Sequence, residues 1–279
     1  MPIHPTAIVD KKAEIDPSAD IGPYVIIDGP VRVGAGTVVM AHAYLTGWTE
    51  IGRDCQIHPG AVVGHDPQDL AFKGQESYCR IGDGTIIREI VTIHRGTKPG
   101  SATEIGRRCF LMAASHVAHN CKLDDDVKLA NGVLLAGYVH VGAGSFVGGN
   151  ATVHQFVRIG ELVMVSGLAG LTMDLPPYMM AAHRNQCVSI NVIGLRRAGF
   201  TPEQIKEVRQ AYRLLYRSGM PFGKAIDQLA NVVSTDAGRR IVEFIRLPST
   251  RGILSGRRAR ATPQAIEHSS WYRTSLRWE

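Results

Sequence analysis

Through most of its first 171 positions the chain carries Ile, Leu or Val at every sixth residue. The series runs Ile3, Val9, Ile15, Ile21, Ile27, Val33, Val39, Leu45, Ile51, Ile57, Val63, resumes at Ile81, Ile87, Ile93, then continues unbroken from Ile105 to Leu171. From Val9 onward the residue two before each is small or Val: Ala7, Ala13, Ala19, Val25, Val31, Thr37, Ala43, Thr49, Cys55, Ala61, and so on to Ala169. Inward positions at i and i−2 are the alternation of a very short strand. The large residue fills the centre and the small one a corner, with Gly, Asp or Asn after the aliphatic residue where the chain turns. Three such hexads make one coil, and coils stacked at roughly 4.8 Å build a triangular prism. The series predicts about eight or nine coils, on the order of 40 Å long at that spacing. The predicted class is mainly β: a parallel β-helix of hexapeptide repeats with a C-terminal α-helical domain.

Two segments break the hexad without serving its core, 65–80 (HDPQDLAFKGQESYCR) and 96–104 (GTKPGSATE). Insertions on solenoids usually carry function. The β-helix is expected over 1–190. After Leu171 the pattern stops, and 191–254 reads as a helical domain capping the prism. Thr201, Pro202 and Gln204 form a helix start with a capping box. Ile205, Val208, Tyr212 and Leu215 share one face, and Gly219 with Pro221 ends the helix. Two further amphipathic helices are expected at 222–233 and 236–247. The basic tail 255–279, with Arg257, Arg258 and Arg260, is expected to be mobile.

Composition mainly excludes. Four of the five cysteines (Cys55, Cys79, Cys109, Cys121) occupy the small inward position, no CxxC pair exists, and an odd number of free thiols points to a reducing, cytoplasmic setting. The repeat starts at Ile3, which leaves no room for a signal sequence, and no long apolar run predicts an integral membrane segment. The net charge of +6 permits an acidic partner. No nucleic-acid motif or stacking platform is present, so nucleic acid is not an expected partner.

Most histidines here have ordinary readings. His4, His58, His94 and His154 follow an aliphatic residue at a turn, and His116 and His140 face outward on strands. His119 differs in its neighbour. It lies two after Val117, and Gly137 lies two after Leu135, one coil later, so the two are expected side by side on one edge. A histidine next to an uncrowded glycine N–H joins a general base to an oxyanion donor, which suits acyl transfer without a nucleophilic Ser or Cys.

The segments DPQDLAFKG, VTIHRGT, HVAHNC, LAGYV, VHQFVRIG, DLPPY, GLRRAGF and STRG, in that order, resemble the bacterial UDP-N-acetylglucosamine O-acyltransferases of lipid A biosynthesis. The resemblance covers roughly residues 3 to 254. It implies a left-handed β-helix, against the usual crossover rule, and a homotrimer with sites between adjacent prisms. It implies transfer of a 3-hydroxyacyl chain from acyl carrier protein to the 3-position of a UDP-sugar, UDP-N-acetylglucosamine, with no cofactor and no metal. Carried onto this chain, the general base is His119 and the oxyanion donor the Gly137 N–H. Sugar-nucleotide contacts fall on Asp69, His94, His116, His154, Gln155, Asn191 and Arg197, and Gly167 matches the position that limits acyl-chain length. Where the family usually has His-Asp-Cys this chain has His119-Asn120-Cys121. It has Tyr138 in place of His, Ala71 in place of Lys, and Arg184 in place of Gly. Asn120 and Tyr138 are one coil apart and are expected to stack directly.

The residues also admit three other readings. A different UDP-sugar, such as one with a 3-amino group, would lean less on a base because an amine is the better nucleophile. A non-catalytic paralogue binding a nucleotide sugar or carrier is suggested by Asn120, Tyr138 and Ala71. A zinc hydratase resembling the γ-type carbonic anhydrases is suggested by His94, His116 and His119. Against the hydratase stand the helical domain and the Gln-Asp-Leu loop. On the first expected C-terminal helix Arg209, Arg213 and Arg217 form a stripe, with Lys206 before them, that suits an acidic carrier protein.

Overall fold

A computed structural model describes residues 3–254. The expected tail, 255–279, lies outside the described residues. Short strands, mostly of two to four residues, stack into three sheets of nine, eight and ten strands, parallel except for the last pair. Together they close a three-sided β-helix. The two insertions lengthen successive coils, separating Arg53 from the paired Asp83 by 30 residues and Arg80 from Glu104 by 24.

The hexad positions do what their side chains dictate. Ile27, Leu45, Ile57, Ile93, Leu111 and Leu135 fill the axis, and Ala43, Cys55, Ala61 and Cys121 close the corners, all buried. All five cysteines are free and buried. The turn chemistry is more specific than sequence reasoning foresaw. The left-handed residue is the third after the aliphatic one, and it is Tyr24, His42, Ile90, Asn120, Tyr138, Phe156 or Leu168 as readily as glycine. Such backbone is uncommon for non-glycine residues. The glycine just after the aliphatic residue has a different cause, close approach of coils: a Cβ on Gly34 would stand 2.6 Å from the Gly52 carbonyl oxygen.

Outward-facing residues divide the prism sharply. One face carries Glu14, Arg32, Glu50, Arg80, Glu104, Lys122, His140 and Arg158 in register on successive strands. Cross-strand pairs alternate in sign through Glu104 and Lys122, with Arg32–Glu14 at 3.0 Å and Arg80–Glu104 at 3.5 Å. The second face presents Ile8, Ile26, Tyr44, Val62, Thr92, His116, Leu134 and Thr152. The third presents Val38, Gln56, Ile86, Phe110, Lys128, Phe146, Met164 and Met180.

The N-terminal end is open, with Ile3 exposed and Val9 and Ile15 half-buried. The other end is closed by elements the hexads did not announce. Met179–Ala182 extends the third sheet, and Gln186–Ile190 returns antiparallel to it. Among the described residues four helices follow: α1 (Val192–Arg197), α2 (Pro202–Arg217), α3 (Phe222–Val232) and α4 (Asp236–Arg246). The capping box of α2 is formed, Gln204 N–H donating to Thr201 Oγ1 and Thr201 N–H to Gln204 Oε1. Ile205, Val208, Tyr212 and Leu215 are buried, as their spacing requires. Asp174 pins this domain to the prism: fully buried, it accepts from Arg158 Nε at 2.7 Å and Ser249 Oγ at 2.7 Å. A buried carboxylate is tolerated only with such partners.

Candidate active site

The site lies on the edge where the second face turns into the charged face. Three consecutive coils supply Ala118-His119-Asn120, Ala136-Gly137-Tyr138 and His154-Gln155-Phe156, because the strands before them pair in register, Val117 with Leu135 and Leu135 with Val153. The His119 imidazole lies across Gly137, where a Cβ would stand 2.6 Å from Nε2. The Gly137 N–H donates to no acceptor among the described residues, while its carbonyl accepts from Phe156 N–H at 3.0 Å. His119, Tyr138 and Phe156 form an aromatic run, edge-on at 5.3 Å and then stacked at 4.9 Å.

Both insertions fold onto this edge. The first brings Asp69, whose Oδ2 is 3.8 Å from His119 Nε2 and whose Oδ1 accepts from Ala71 N–H at 2.9 Å. Arg95 holds that loop from beneath. It is buried, pairs with Asp66 at 2.6 Å, donates to the Gly64 carbonyl at 3.1 Å, and packs on the rings of Trp48 and Phe72. The second insertion brings Thr97, whose N–H and hydroxyl lie 3.0 and 2.9 Å from Asn120 Oδ1. His119 Nδ1 is 3.1 Å from the same oxygen, and Tyr138 Oη is 3.2 Å from the Thr97 hydroxyl. Asn120 and Tyr138 therefore communicate through Thr97, a residue the sequence reading passed over although it lies in one of the two unexplained insertions.

A cavity of about 1050 Å³ opens beside His119. Of the expected residues, His94, His116, His119, Gly137, His154 and Gln155 line it together, and Asp69 overhangs it. His94 ends a strand instead of occupying a surface turn, and burial beside His116 and His65 pushes its pKa down to about 4. Burial also lowers His116, whose Nδ1 meets the Thr92 hydroxyl at 2.7 Å. Leu134, Leu168, His183 and Arg184 also line it, and none of the four is among the expected site residues. Gly167 does not line it within one chain; its neighbour Leu168 does. Asn191 is occupied elsewhere, capping α1 at Gly194 N–H and donating to the Leu162 carbonyl at 2.8 Å, and Arg197 ends that helix. Cys121 is no nucleophile: buried, its thiol is pushed up to about 12. Among the described residues no three His, Cys, Asp or Glu groups converge to hold a metal ion.

A three-sided β-helix built from six-residue repeats places the chain among the hexapeptide-repeat proteins. A family model described as bacterial transferase hexapeptide (six repeats) matches residues 30–65, and one described as UDP N-acetylglucosamine O-acyltransferase, domain 2, matches 174–254. The acyl-[acyl-carrier-protein]–UDP-N-acetylglucosamine O-acyltransferase of Gloeothece citriformis is 40% identical over 92% of this chain and 92% of its own. That of Syntrophobacter fumaroxidans is 40% identical over 91% of this chain and the whole of its own. The crystal structure of UDP-N-acetylglucosamine O-acyltransferase from Moraxella catarrhalis superposes with a TM-score of 0.86 at 40% identity, covering 91% of this chain and 100% of that one. The chain belongs to the UDP-N-acetylglucosamine O-acyltransferase family.

Proposed function

We propose that this protein transfers a 3-hydroxyacyl chain from acyl carrier protein to the 3-hydroxyl of UDP-N-acetylglucosamine, the first step of lipid A biosynthesis, with His119 as general base. The observation that carries the reading is the imidazole of His119 lying over the Cβ side of Gly137, whose N–H has no acceptor among the described residues, at the wall of the cavity. His119 Nε2 takes the hydroxyl proton as the sugar oxygen attacks the thioester carbonyl. The carbonyl oxygen gains negative charge, which the Gly137 N–H stabilises. Collapse of the tetrahedral intermediate breaks the carbon–sulfur bond, and the leaving thiolate takes the proton back from the imidazolium. No group of the protein is acylated.

The site is an open groove on one prism, and we propose that a cyclic trimer completes it. Two outward faces are rich in apolar side chains and the third is a charge ladder, a division that suits a prism covered on two sides and wetted on one. Arg197 would then reach a neighbour's sugar nucleotide, while Asn191 would act on it indirectly by capping the helix that carries Arg197, and Gly167 with Leu168 would bound the acyl chain. The acidic carrier is proposed to dock on α2, where Arg209, Arg213 and Arg217 line a hollow of about 720 Å³. Five buried thiols suit a reducing cytoplasm.

The assay is direct: purified protein, UDP-N-acetylglucosamine and a panel of acyl carrier protein thioesters, with product read by mass spectrometry. O-acylated UDP-N-acetylglucosamine is the expected product. A second acceptor belongs in the panel, a UDP-sugar with a 3-amino group, because the neutral Asn120 amide beside His119 gives the imidazolium no full charge to lean on. Acylation of the amine alone would reassign the acceptor, and turnover of neither would make the chain a binding protein.

A further inference from the structure

We infer that Thr97 is a positioning residue that sets the tautomer of His119 by fixing the amide of Asn120, with Tyr138 completing the line. This rests on the reading of His119 as the base. A backbone N–H can only donate, and that of Thr97 lies 3.0 Å from Asn120 Oδ1. With the amide reversed, an NH₂ group would face an N–H, so the oxygen is held on this side. The Thr97 hydroxyl, 2.9 Å away, gives its single hydrogen to the same oxygen and in turn accepts from the Tyr138 hydroxyl at 3.2 Å.

That oxygen faces His119 Nδ1 at 3.1 Å and has no hydrogen to offer. The neutral imidazole must therefore carry its one hydrogen on Nδ1, which leaves the Nε2 lone pair free, since Asp69 Oδ2 at 3.8 Å is beyond hydrogen-bond reach and does not claim a hydrogen there. An unrestrained asparagine has a second choice. Reversed, its NH₂ would donate to Nδ1 and move the hydrogen to Nε2, a tautomer unable to take a proton from a substrate. A carboxylate at the same place could only accept, and would need no such lock. Thr97 is itself held firmly: it is buried, and Gln75 of the first insertion donates to its carbonyl. The two insertions thus meet on the residue that orients the base.

The test combines kinetics with spectroscopy on the full-length protein. Thr97→Val removes the hydroxyl donor, leaves the backbone N–H, and deprives the Tyr138 hydroxyl of its acceptor. It should lower kcat roughly 10- to 100-fold, short of the about 10⁴ that a wrong tautomer costs in a serine-protease triad. KM for the sugar nucleotide should stay within about twofold, since only the orientation of the base is lost. Adding Asn120→Asp to Thr97→Val should recover most of the lost kcat, a coupling that independent sites do not show. Independently of activity, ¹⁵N spectra of histidine-labelled wild type should show His119 protonated at Nδ1 and bare at Nε2. A hydrogen on Nε2 in the wild type, or a double variant no better than Thr97→Val, overturns the assignment. Full activity of His119→Ala would instead remove the base reading and leave the spectroscopic result to judge the lock alone.

Discussion

The imidazole of His119 occupies the space a side chain at Gly137 would need, with a Cβ there falling 2.6 Å from Nε2. Gly137 is not in the left-handed region, so its lack of a side chain serves the histidine and not the turn. Gly137→Ala keeps the backbone N–H and should still lose about 10²-fold in kcat, the scale of an ångström's misplacement of a reacting group. Steady-state kinetics check this, and an unchanged kcat would mean that the imidazole moves aside without consequence.

His94 makes the fold sensitive to acid. Its pKa is near 4 in the folded chain against an ordinary 6.5, so the unfolded chain binds the extra proton between those values. The histidine contributes stability fully above pH 6.5, and that contribution is lost as the pH falls towards 4, on the order of 3 kcal/mol in all. Urea unfolding at pH 7.5 and pH 4.5 should show the drop, and His94→Gln should reduce it. An equal drop in the variant would assign the acid sensitivity to other groups.

Arg95 ties the loop carrying Asp69 to the prism. Arg95→Lys loses the paired donors and the ring contacts with Trp48 and Phe72. The loop should then open more often, and trypsin should cut after the exposed Lys73 about tenfold faster. Timed digestion with fragment masses reads this, and an unchanged rate would show that other contacts hold the loop.

How far the chain could be read depends on what periodicity controls. The hexads place Val117 over Leu135, so His119 beside Gly137 was legible as arithmetic, and the helix start at Thr201 was legible as chemistry. Thr97 was not, because the path of an insertion is decided by contacts such as Gln75 to its carbonyl and not by any repeat. The strands at Met179–Ala182 and Gln186–Ile190 escaped for a similar reason: they continue a sheet after its sequence signal has ended. Asn191 was expected as a ligand contact, and its side chain is used within the chain to cap α1. Tyr138 and Phe156 in left-handed corners run against residue preference and come from coil geometry.

The arginine stripe on α2 yields a prediction about the donor. Arg209→Glu with Arg213→Glu should raise KM for the acyl carrier protein thioester roughly tenfold, weaken its dependence on salt, and leave KM for the sugar nucleotide unchanged. Arg217 is left intact because its guanidinium packs on Tyr212. Equal donor KM values in variant and wild type would return the stripe to an ordinary solvated face.

Whether His119 removes the acceptor's proton can be decided by one comparison. His119→Ala is assayed for acyl transfer while calorimetry measures its affinity for UDP-N-acetylglucosamine. If it does, kcat should fall by about 10² to 10⁴ with sugar-nucleotide affinity nearly intact. Activity at the wild-type level, or affinity lost in proportion to rate, would contradict it.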